Sequence, residues 1–215
     1  MIKTHGIFEI LVLVSPCLYA QSSIEVVVPE FNDTYSRYVK TLEAGHTDID
    51  YREFRYSFIE SKQFKKASEE TSRFDSLRKQ LGIQMKLSAY QEIINICKQL
   101  LSIDYTSLIA HKIIRQTYEL TGDTLHARQY KAVQFGLLKS IVANADGTTH
   151  ETAWPVIQVA EEYFILQMLG ADMHKQTTER NGGVFDKLEV TEDGKEKTYY
   201  FEVSRVFEGY KRLGL

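Results

Sequence analysis

The histidines of this chain are the residues best suited to bind a metal or to act as a general base, and their spacing decides whether they can. Five of them follow the first twenty residues: His46, His111, His126, His150 and His174. None falls in an HExxH pattern, which would place two imidazoles on one helical turn beside a glutamate. His46 with Asp48 and Asp50 resembles the start of a calcium loop, but the later glycine and glutamate of such a loop are missing. Helix capping by these aspartates is the simpler interpretation, and the sequence predicts no metal and no cofactor.

The carboxylates and the cysteine do not complete a catalytic set either. Glu161 and Glu162 are adjacent, so on a helix their side chains point about 100° apart and cannot both face one substrate. Acids in the first turn of a helix, where the helix dipole favours negative charge, explain them better. Cys97 lies among apolar residues on an inward helix face, where burial disfavours the thiolate. The sequence therefore favours a protein without catalytic residues. The alternative left open is a small envelope hydrolase whose site is assembled on folding from loop carboxylates and the loop histidines His46, His150 and His174.

One helix carries a stripe of polar and aromatic residues that a partner could contact. Its inward face is assigned to Ile109, Ile113 and Thr117. The neighbouring stripe, at spacing i, i+4 and i+7, supplies the predicted binding residues His111, Arg115 and Tyr118. In this interpretation Arg115 pairs with a carboxylate of a bound peptide and His111 makes a polar contact. The alternative is that Tyr118 packs in the core and the other two side chains are solvated.

Residues 1–20 have the composition of an export signal. A positive start precedes an apolar stretch at 7–14 that only Glu9 interrupts, and small residues precede a predicted cleavage after Ala20. This apolar run is too short for a helix that crosses a bilayer, which needs about 20 apolar residues. A retained anchor and a lipid-modified Cys17 are the alternatives. The sequence predicts an exported protein of the periplasm, cell surface or medium, without stable membrane insertion once the signal is removed.

Composition and charge exclude some classes of function. The chain has 26 basic and 29 acidic residues, a formal net charge of −3, which provides no broad attraction for nucleic acid or anionic lipid. We therefore predict no nucleic-acid partner, whereas a protein or peptide partner is compatible with this composition. Removal of Cys17 with the signal leaves only Cys97, so no internal disulfide can form. Stability must come from packing.

The region 21–145 has the apolar spacing of helices. The strongest pattern is SAYQEIINICKQLLSID, which begins with a predicted capping box of Ser88 and Gln91. Gly122 is expected to end the next helix in the left-handed conformation. Short turns between consecutive helices predict an antiparallel arrangement, with the second and third helices at about 107–120 and 124–143.

The part of the chain before this helix is also predicted to be helical. Asn32 or Asp33 can cap one helix and Asp48 or Asp50 another. A further helix around Leu77 is expected to end at Gly82. The β-branched run at 24–28 predicts an edge strand or an ordered lead-in.

After residue 145 the pattern becomes mixed, and 146–215 is predicted as an α+β lobe packed on the helical region. A short strand at 156–159 precedes EEYFILQMLG, a helix too apolar on all sides for the surface, which should therefore be sandwiched between other elements. Alternating apolar residues on either side of the Asp193-Gly194 turn signal predict a β-hairpin, with Asp186 as an inward exception. The predicted fold class is mainly α with a small β lobe (α+β): antiparallel helical hairpins followed by a C-terminal β-hairpin.

The helical part also resembles a tetratricopeptide hairpin. Leu100-Leu101, Asp104, Tyr118, Gly122-Asp123 and Ala127 follow the order of that repeat, in which small residues let neighbouring helices approach. Arg115 stands where the repeat has a glycine, and only one convincing copy is present. An unrelated helical bundle with the same spacing is the alternative.

A wider resemblance involves four segments: IDYREFRYSFIES, LIAHKIIRQTYELTGDTLHARQY, TTHETAWPVIQVAEEYFILQMLG and FDKLEVTEDGKEKTYYFEVS. With the signal, they resemble an uncharacterised domain-of-unknown-function family of small exported bacterial proteins. The resemblance covers nearly all of the mature chain and implies a location and a fold, but it brings no activity, cofactor or catalytic residue. The expected function is that of a non-catalytic binding or assembly module of the bacterial cell envelope. A third interpretation has the β lobe dock on a partner's sheet edge through an unpaired strand at 24–28 or 199–203.

Overall fold

The computed structural model describes residues 24–214, and helices dominate this part of the chain. The helices are α1 (Thr34–Glu43), α2 (Tyr51–Glu60), α3 (Lys62–Glu69), α4 (Thr71–Lys86), α5 (Tyr90–Ile103), α6 (Leu108–Thr121), α7 (Thr124–Val142), α8 (Val159–Leu169) and α9 (Ser204–Leu213). The strands are β1 (Trp154–Pro155), β2 (Asp172–Arg180), β3 (Val184–Glu192) and β4 (Lys195–Glu202), in one sheet of order β1-β4-β3-β2. The predicted α+β class is confirmed. The predicted signal at 1–20 lies outside the described residues.

The first two helices begin at the aspartates that the sequence predicted. Asp33 Oδ1 accepts a hydrogen bond from a first-turn N–H of α1 at 2.8 Å, and Asp50 Oδ1 accepts one from α2 at 2.9 Å. Each bond satisfies a backbone N–H that a helix start leaves without a partner. The two helices then join through the rings of Tyr35 and Phe54, which stack with centroids 5.5 Å apart.

Two helix boundaries differ from the sequence prediction. Gly82 does not end α4, because Leu77 and Leu81 bury one face of that helix against the core, and this burial outweighs the cost of about 1 kcal/mol for one glycine. The capping box of Ser88 and Gln91 is also wrong. Ser88 adopts a left-handed φ of 53° and α5 begins without a side-chain cap, so packing of its apolar face determines where it starts.

The consecutive helices α5, α6 and α7 pack side by side as predicted, and Gly122 ends α6 with a φ of 81°. The buried face of α6 is rotated from the prediction, since His111 and Ile114 are fully buried whereas Ile109 and Ile113 are half-buried. This helix lies between two neighbours, so its buried stripe is wider than one face. The tetratricopeptide likeness of α6 and α7 stays a prediction.

The sheet is organised around β4, which pairs antiparallel with β3 and parallel with the two-residue β1. The hairpin prediction is confirmed: Asp193 and Gly194 both have positive φ, of 51° and 71°, as the tight turn requires. The short strand lies at 154–155 and not at 156–159. Val156 N still donates to the carbonyl of Glu202 at 3.0 Å, after which the chain leaves the sheet toward α8.

Three elements have no counterpart in the sequence prediction: α3, α9 and the edge strand β2. The nine residues of β2 are mostly polar and pair only with β3, so no apolar alternation marks this strand. Residues 24–28 form an extended lead-in and not a strand. In this lead-in Val26 is buried and Val27 N donates to Ser102 Oγ at 2.8 Å.

The apolar helix α8, which was predicted to be sandwiched, packs against both α6 and β2 but leaves one of its faces exposed. Phe164, Ile165 and Leu166 are buried, whereas Tyr163 and Met168 are 45% and 49% exposed. Besides α6 and β2, the helix meets α2 through Glu161 and β3 through Glu162, and the face that carries Tyr163 and Met168 is left to solvent. No helix in the described part of the chain has the length and apolar content that a membrane span requires.

Candidate binding groove

An open groove of about 570 Å³ lies where α3, α4, the start of α8 and α9 meet. Pockets for small ligands span about 300–1,000 Å³, so this groove is large enough to hold one. Most of its lining is apolar, from Phe58, Phe64, Phe74, Ile103, Ile157 and Val206. Its polar and charged lining includes Arg78, Asp104 and Gln158.

The aromatic floor of the groove is set by close packing of α2, α3 and α9. The rings of Phe58 and Phe64 meet edge to face, with centroids 5.4 Å apart. A Cβ on Gly209 would lie only 3.0 Å from Ile59 Cγ2 and from Phe64 Cζ. Because glycine has no Cβ, the backbone of α9 can approach this closely, and the approach places Val206 on the groove wall.

The polar groups at the floor are paired with one another. Asp104 Oδ1 accepts hydrogen bonds from Thr106 N at 2.8 Å and Thr106 Oγ1 at 2.6 Å, and Asp104 Oδ2 accepts one from Gln158 Nε2 at 2.8 Å. Burial raises the pKa of Asp104, and these hydrogen bonds oppose the rise. The three residues tie the end of α5 to the residue before α8 and leave the apolar surface as the main feature open to a ligand.

A buried ion pair holds the segment 155–158, of which Ile157 and Gln158 line the groove. Arg55 of α2 is fully buried and donates to Glu161 through Nε at 2.9 Å and through Nη2 at 2.6 Å. Arg55 Nη2 also donates to the carbonyl of Pro155 at 2.9 Å, and Ile157 N donates to Glu161 Oε2 at 2.8 Å. A bidentate guanidinium and carboxylate with further partners is the geometry in which a buried pair is best satisfied. The pair therefore fixes the position of this segment.

A second acidic cluster lies on the sheet side of α8. Glu162 is fully buried, and its burial together with the nearby charge of Asp186 raises its pKa to about 8. Gln176 Nε2 donates to Asp186 Oδ2 at 2.9 Å and to Glu162 Oε2 at 3.2 Å, and Thr178 Oγ1 donates to Asp186 Oδ1 at 2.6 Å. A carboxyl group with such a raised pKa could act as a general acid. The carboxyl group of Glu162 is enclosed between α8 and the sheet, so we assign it a role in packing.

The adjacent glutamates thus face different partners, as the predicted angle of about 100° between them requires. Their explanation as first-turn acids is incomplete. Glu161 is bound to Arg55 from α2, and Glu162 lies against Asp186 from β3, so long-range contacts hold both.

The three binding residues predicted on α6 do not form an open stripe. His111 is fully buried, its Nε2 contacts the carbonyl of Tyr105 at 2.8 Å, and burial lowers its pKa to about 4. Tyr118 is also buried and stacks on His126 with ring centroids 4.9 Å apart. Arg115 is bonded to Gln134 at 2.9 Å and to Glu119 at 2.8 Å. Of the three, only the partly exposed Arg115 could reach a ligand without movement of the core.

The loop histidines of the hydrolase alternative each have a separate environment. His150 Nε2 contacts Glu179 at 3.2 Å, and His174 Nε2 contacts Thr191 at 2.5 Å. His46 is exposed in the segment between α1 and α2. At the end of this segment Asp50 caps α2, as the helix-capping interpretation predicted. Among residues 24–214, no group of three or more histidine, cysteine or acidic side chains is placed to hold a metal ion.

The sheet edge offers a partner strand little to pair with at the two predicted positions. Residues 24–28 are not a strand, and Phe201 in β4 has neighbours on both sides, from β1 and β3. One free edge of the sheet is β2, where a register shift between Met173 and Lys175 and several charged side chains interrupt regular pairing. Bulges and charges of this kind protect edge strands from association.

Sequence reasoning missed the groove because two of its walls, α3 and α9, were not predicted. A signal for α9 is present, since Val206, Tyr210 and Leu213 follow the i, i+4, i+7 spacing of one helix face. The helix buries Val206 and Gly209, and Val206, Tyr210 and Leu213 all line the groove.

Comparison with known proteins identifies the family of the chain. A family model described as a domain of unknown function, DUF4919, matches residues 23–212. No match was found among curated proteins, and none among solved structures. Since the model spans nearly the whole sequence, the chain belongs to the DUF4919 family, a domain family of unknown function.

Proposed function

We propose that this protein is an exported, non-catalytic binding or assembly module of the bacterial cell envelope, and that the groove between α3, α4, α8 and α9 is its binding site. The observation that carries the proposal is the groove itself, which combines an aromatic floor with walls fixed by the Arg55–Glu161 pair and the close approach at Gly209. Export is supported by the composition of residues 1–20.

The buried chemistry of the chain supports binding over catalysis. Burial raises the pKa of the Cys97 thiol to about 12, which leaves almost no thiolate to act as a nucleophile at neutral pH. The Arg55–Glu161 ion pair and the Glu162–Asp186 carboxyl pair are both buried, and they serve packing. A rigid groove backed by satisfied polar groups is suited to holding a ligand.

Affinity capture from an envelope extract tests the proposal, with mass spectrometry of the captured material. Ser68 lies on the groove lip and is exposed, so Ser68→Trp should fill the groove and lose the captured partner. Ser72, one turn further and outside the groove lining, provides the matched control Ser72→Trp, which should keep it.

Two results would overturn this function. One is a hydrolase screen that scores positive with the purified protein and fails after His150→Ala, in the absence of any partner captured through the groove. The other is cell fractionation that finds the intact, uncleaved chain in the cytosol.

A further inference from the structure

We propose that the groove binds a single acyl chain that carries an anionic headgroup, with the chain on the aromatic floor and the headgroup at the rim beside Arg78. This inference rests on the groove being the binding site, and it adds the chemical class of the ligand.

The first argument is the distribution of charge around the groove. The segment 62–86, which forms α3 and α4, has seven basic and three acidic residues, and α9 has three basic and one acidic. These walls therefore carry a formal +6 in a chain whose net charge is −3, so all other residues together carry −9. Of these basic residues only Arg78 lines the groove, so the others contribute a positive field that salt screens and Arg78 supplies the charge in contact with the ligand.

Arg78 is the cation placed to meet the headgroup. Its exposed side chain lines the groove, and among the described residues it forms no ion pair and no hydrogen bond. Two other arginines of these segments lie outside the groove lining and have acidic neighbours: Arg73 pairs with Glu70 at 2.7 Å, and Arg212 lies 3.9 Å from Glu60. The start of α8, which has no side-chain cap, adds the positive end of a helix dipole to the same groove.

The second argument separates an acyl chain from a peptide. A bound peptide must satisfy its own backbone N–H and C=O groups, so a peptide site offers free donors and acceptors. Here Asp104 and Gln158 are already bonded within the floor. The buried side-chain atoms without a partner in the described chain all lie outside the groove lining, on Asp33, Ser36, His111 and Glu162. An apolar, aromatic surface with a few free donors at one place, Arg78 and the uncapped start of α8 among them, matches a hydrocarbon chain that carries a single anionic end.

Isothermal titration calorimetry of the purified protein tests the inference with three probes: palmitate, lysophosphatidylglycerol and the uncharged hexadecanol, all below the concentrations at which they aggregate. We expect palmitate and lysophosphatidylglycerol to bind at one site, and hexadecanol about tenfold more weakly. Comparison of the first two probes shows whether the headgroup is read as a carboxylate or as a phosphodiester.

Variants locate the site. Ser68→Trp should abolish palmitate binding and Ser72→Trp should preserve it. Arg78→Glu should weaken palmitate about tenfold and leave hexadecanol unchanged, whereas Lys79→Glu, the same charge change on an exposed residue outside the groove lining, should have a much smaller effect. Circular dichroism confirms that each variant is folded.

Three outcomes would overturn the acyl-chain inference: palmitate binding that Ser68→Trp does not change, attachment to phosphatidylglycerol vesicles without binding of the monomeric probes, and capture of an acidic peptide with no lipid binding. If no probe binds but partner capture still depends on Ser68, the inference is wrong and the proposed function of the groove stands. If neither is observed, both fail.

Discussion

Replacement of Arg55 by methionine should destabilise the protein by about 3–5 kcal/mol, because it removes one half of a buried ion pair and leaves the other half charged. Arg55 and Glu161 are 0% and 5% exposed in their side chains, so water cannot replace the lost partner. After the substitution Glu161 keeps a single strong donor, Ile157 N at 2.8 Å. The carbonyl of Pro155 also loses its bond from Arg55 Nη2.

The size of the effect can be measured with an internal probe. Trp154 is the only tryptophan of the chain, is 5% exposed and lies 5.3 Å from the ring of Phe201, directly before Pro155. Its fluorescence in a urea titration therefore reports the loss of the structure that Arg55 supports. For a chain of this size, a loss of about 3–5 kcal/mol corresponds to a fall in the melting temperature of roughly 6–20 °C.

A double-mutant cycle decides whether the pair itself is responsible. Glu161→Met should destabilise the protein by a similar amount. The double variant, Arg55→Met with Glu161→Met, should lose less stability than the two single variants together, because no uncompensated charge then remains buried. Lys175→Met, which breaks an exposed cross-strand pair with Glu189, is the control and should cost less than about 1 kcal/mol. Additive effects in the cycle, or a loss for Arg55→Met no larger than the control, would refute this reasoning.

Three further predictions concern the core and the groove. Glu162 has a pKa of about 8 in the folded state, above its ordinary value of 4.5, so the folded state binds more protons and stability should fall as pH rises toward 8. Between pH 6.5 and 8 the free energy of unfolding should fall by about 2 kcal/mol in a urea titration, and Glu162→Gln should remove this fall. At lower pH, His111 has the opposite effect. Its pKa of about 4 in the folded state lies below the ordinary 6.5, so its contribution to stability grows as pH rises from 4 to 6.5. Gly209→Val should displace α9 from Ile59, lower the melting temperature and increase proteolysis near the C-terminus, whereas Gly82→Val, at a helical glycine of α4 with open space around it, should leave cleavage there unchanged. Cys97 should resist alkylation in the folded protein and react after unfolding, as peptide mass spectrometry would show.

Each of these predictions has a contradicting result. Stability that stays constant from pH 6.5 to 8, or that still falls in Glu162→Gln, would mean that this carboxyl is not held in its protonated form. Normal melting and proteolysis of Gly209→Val would show that α9 does not need the close approach. Alkylation of Cys97 at the rate of an exposed thiol would contradict its burial.

Local patterns predicted much of the helical body because the signals act over a few residues. Asp33 and Asp50 start helices by hydrogen bonds to backbone groups three residues away, and Gly122 ends one because it tolerates a positive φ. The Asp193-Gly194 turn is equally local. In contrast, the binding stripe on α6 depended on which face was inward. The buried face of α6 is shifted by about one residue from the predicted face, because α5 and α7 pack on two sides of this helix.

The sequence by itself determined the α+β class, the aspartate caps of α1 and α2, the turns at Gly122 and Asp193-Gly194, and the inward position of Asp186, since each follows from the geometry of a short stretch of backbone. Only the tertiary structure decided that Arg55 meets Glu161 across 106 residues of chain, that Glu162 lies against Asp186, and that α9 returns to complete the groove. Such pairings depend on the packing of distant elements, whose relative placement no local spacing encodes.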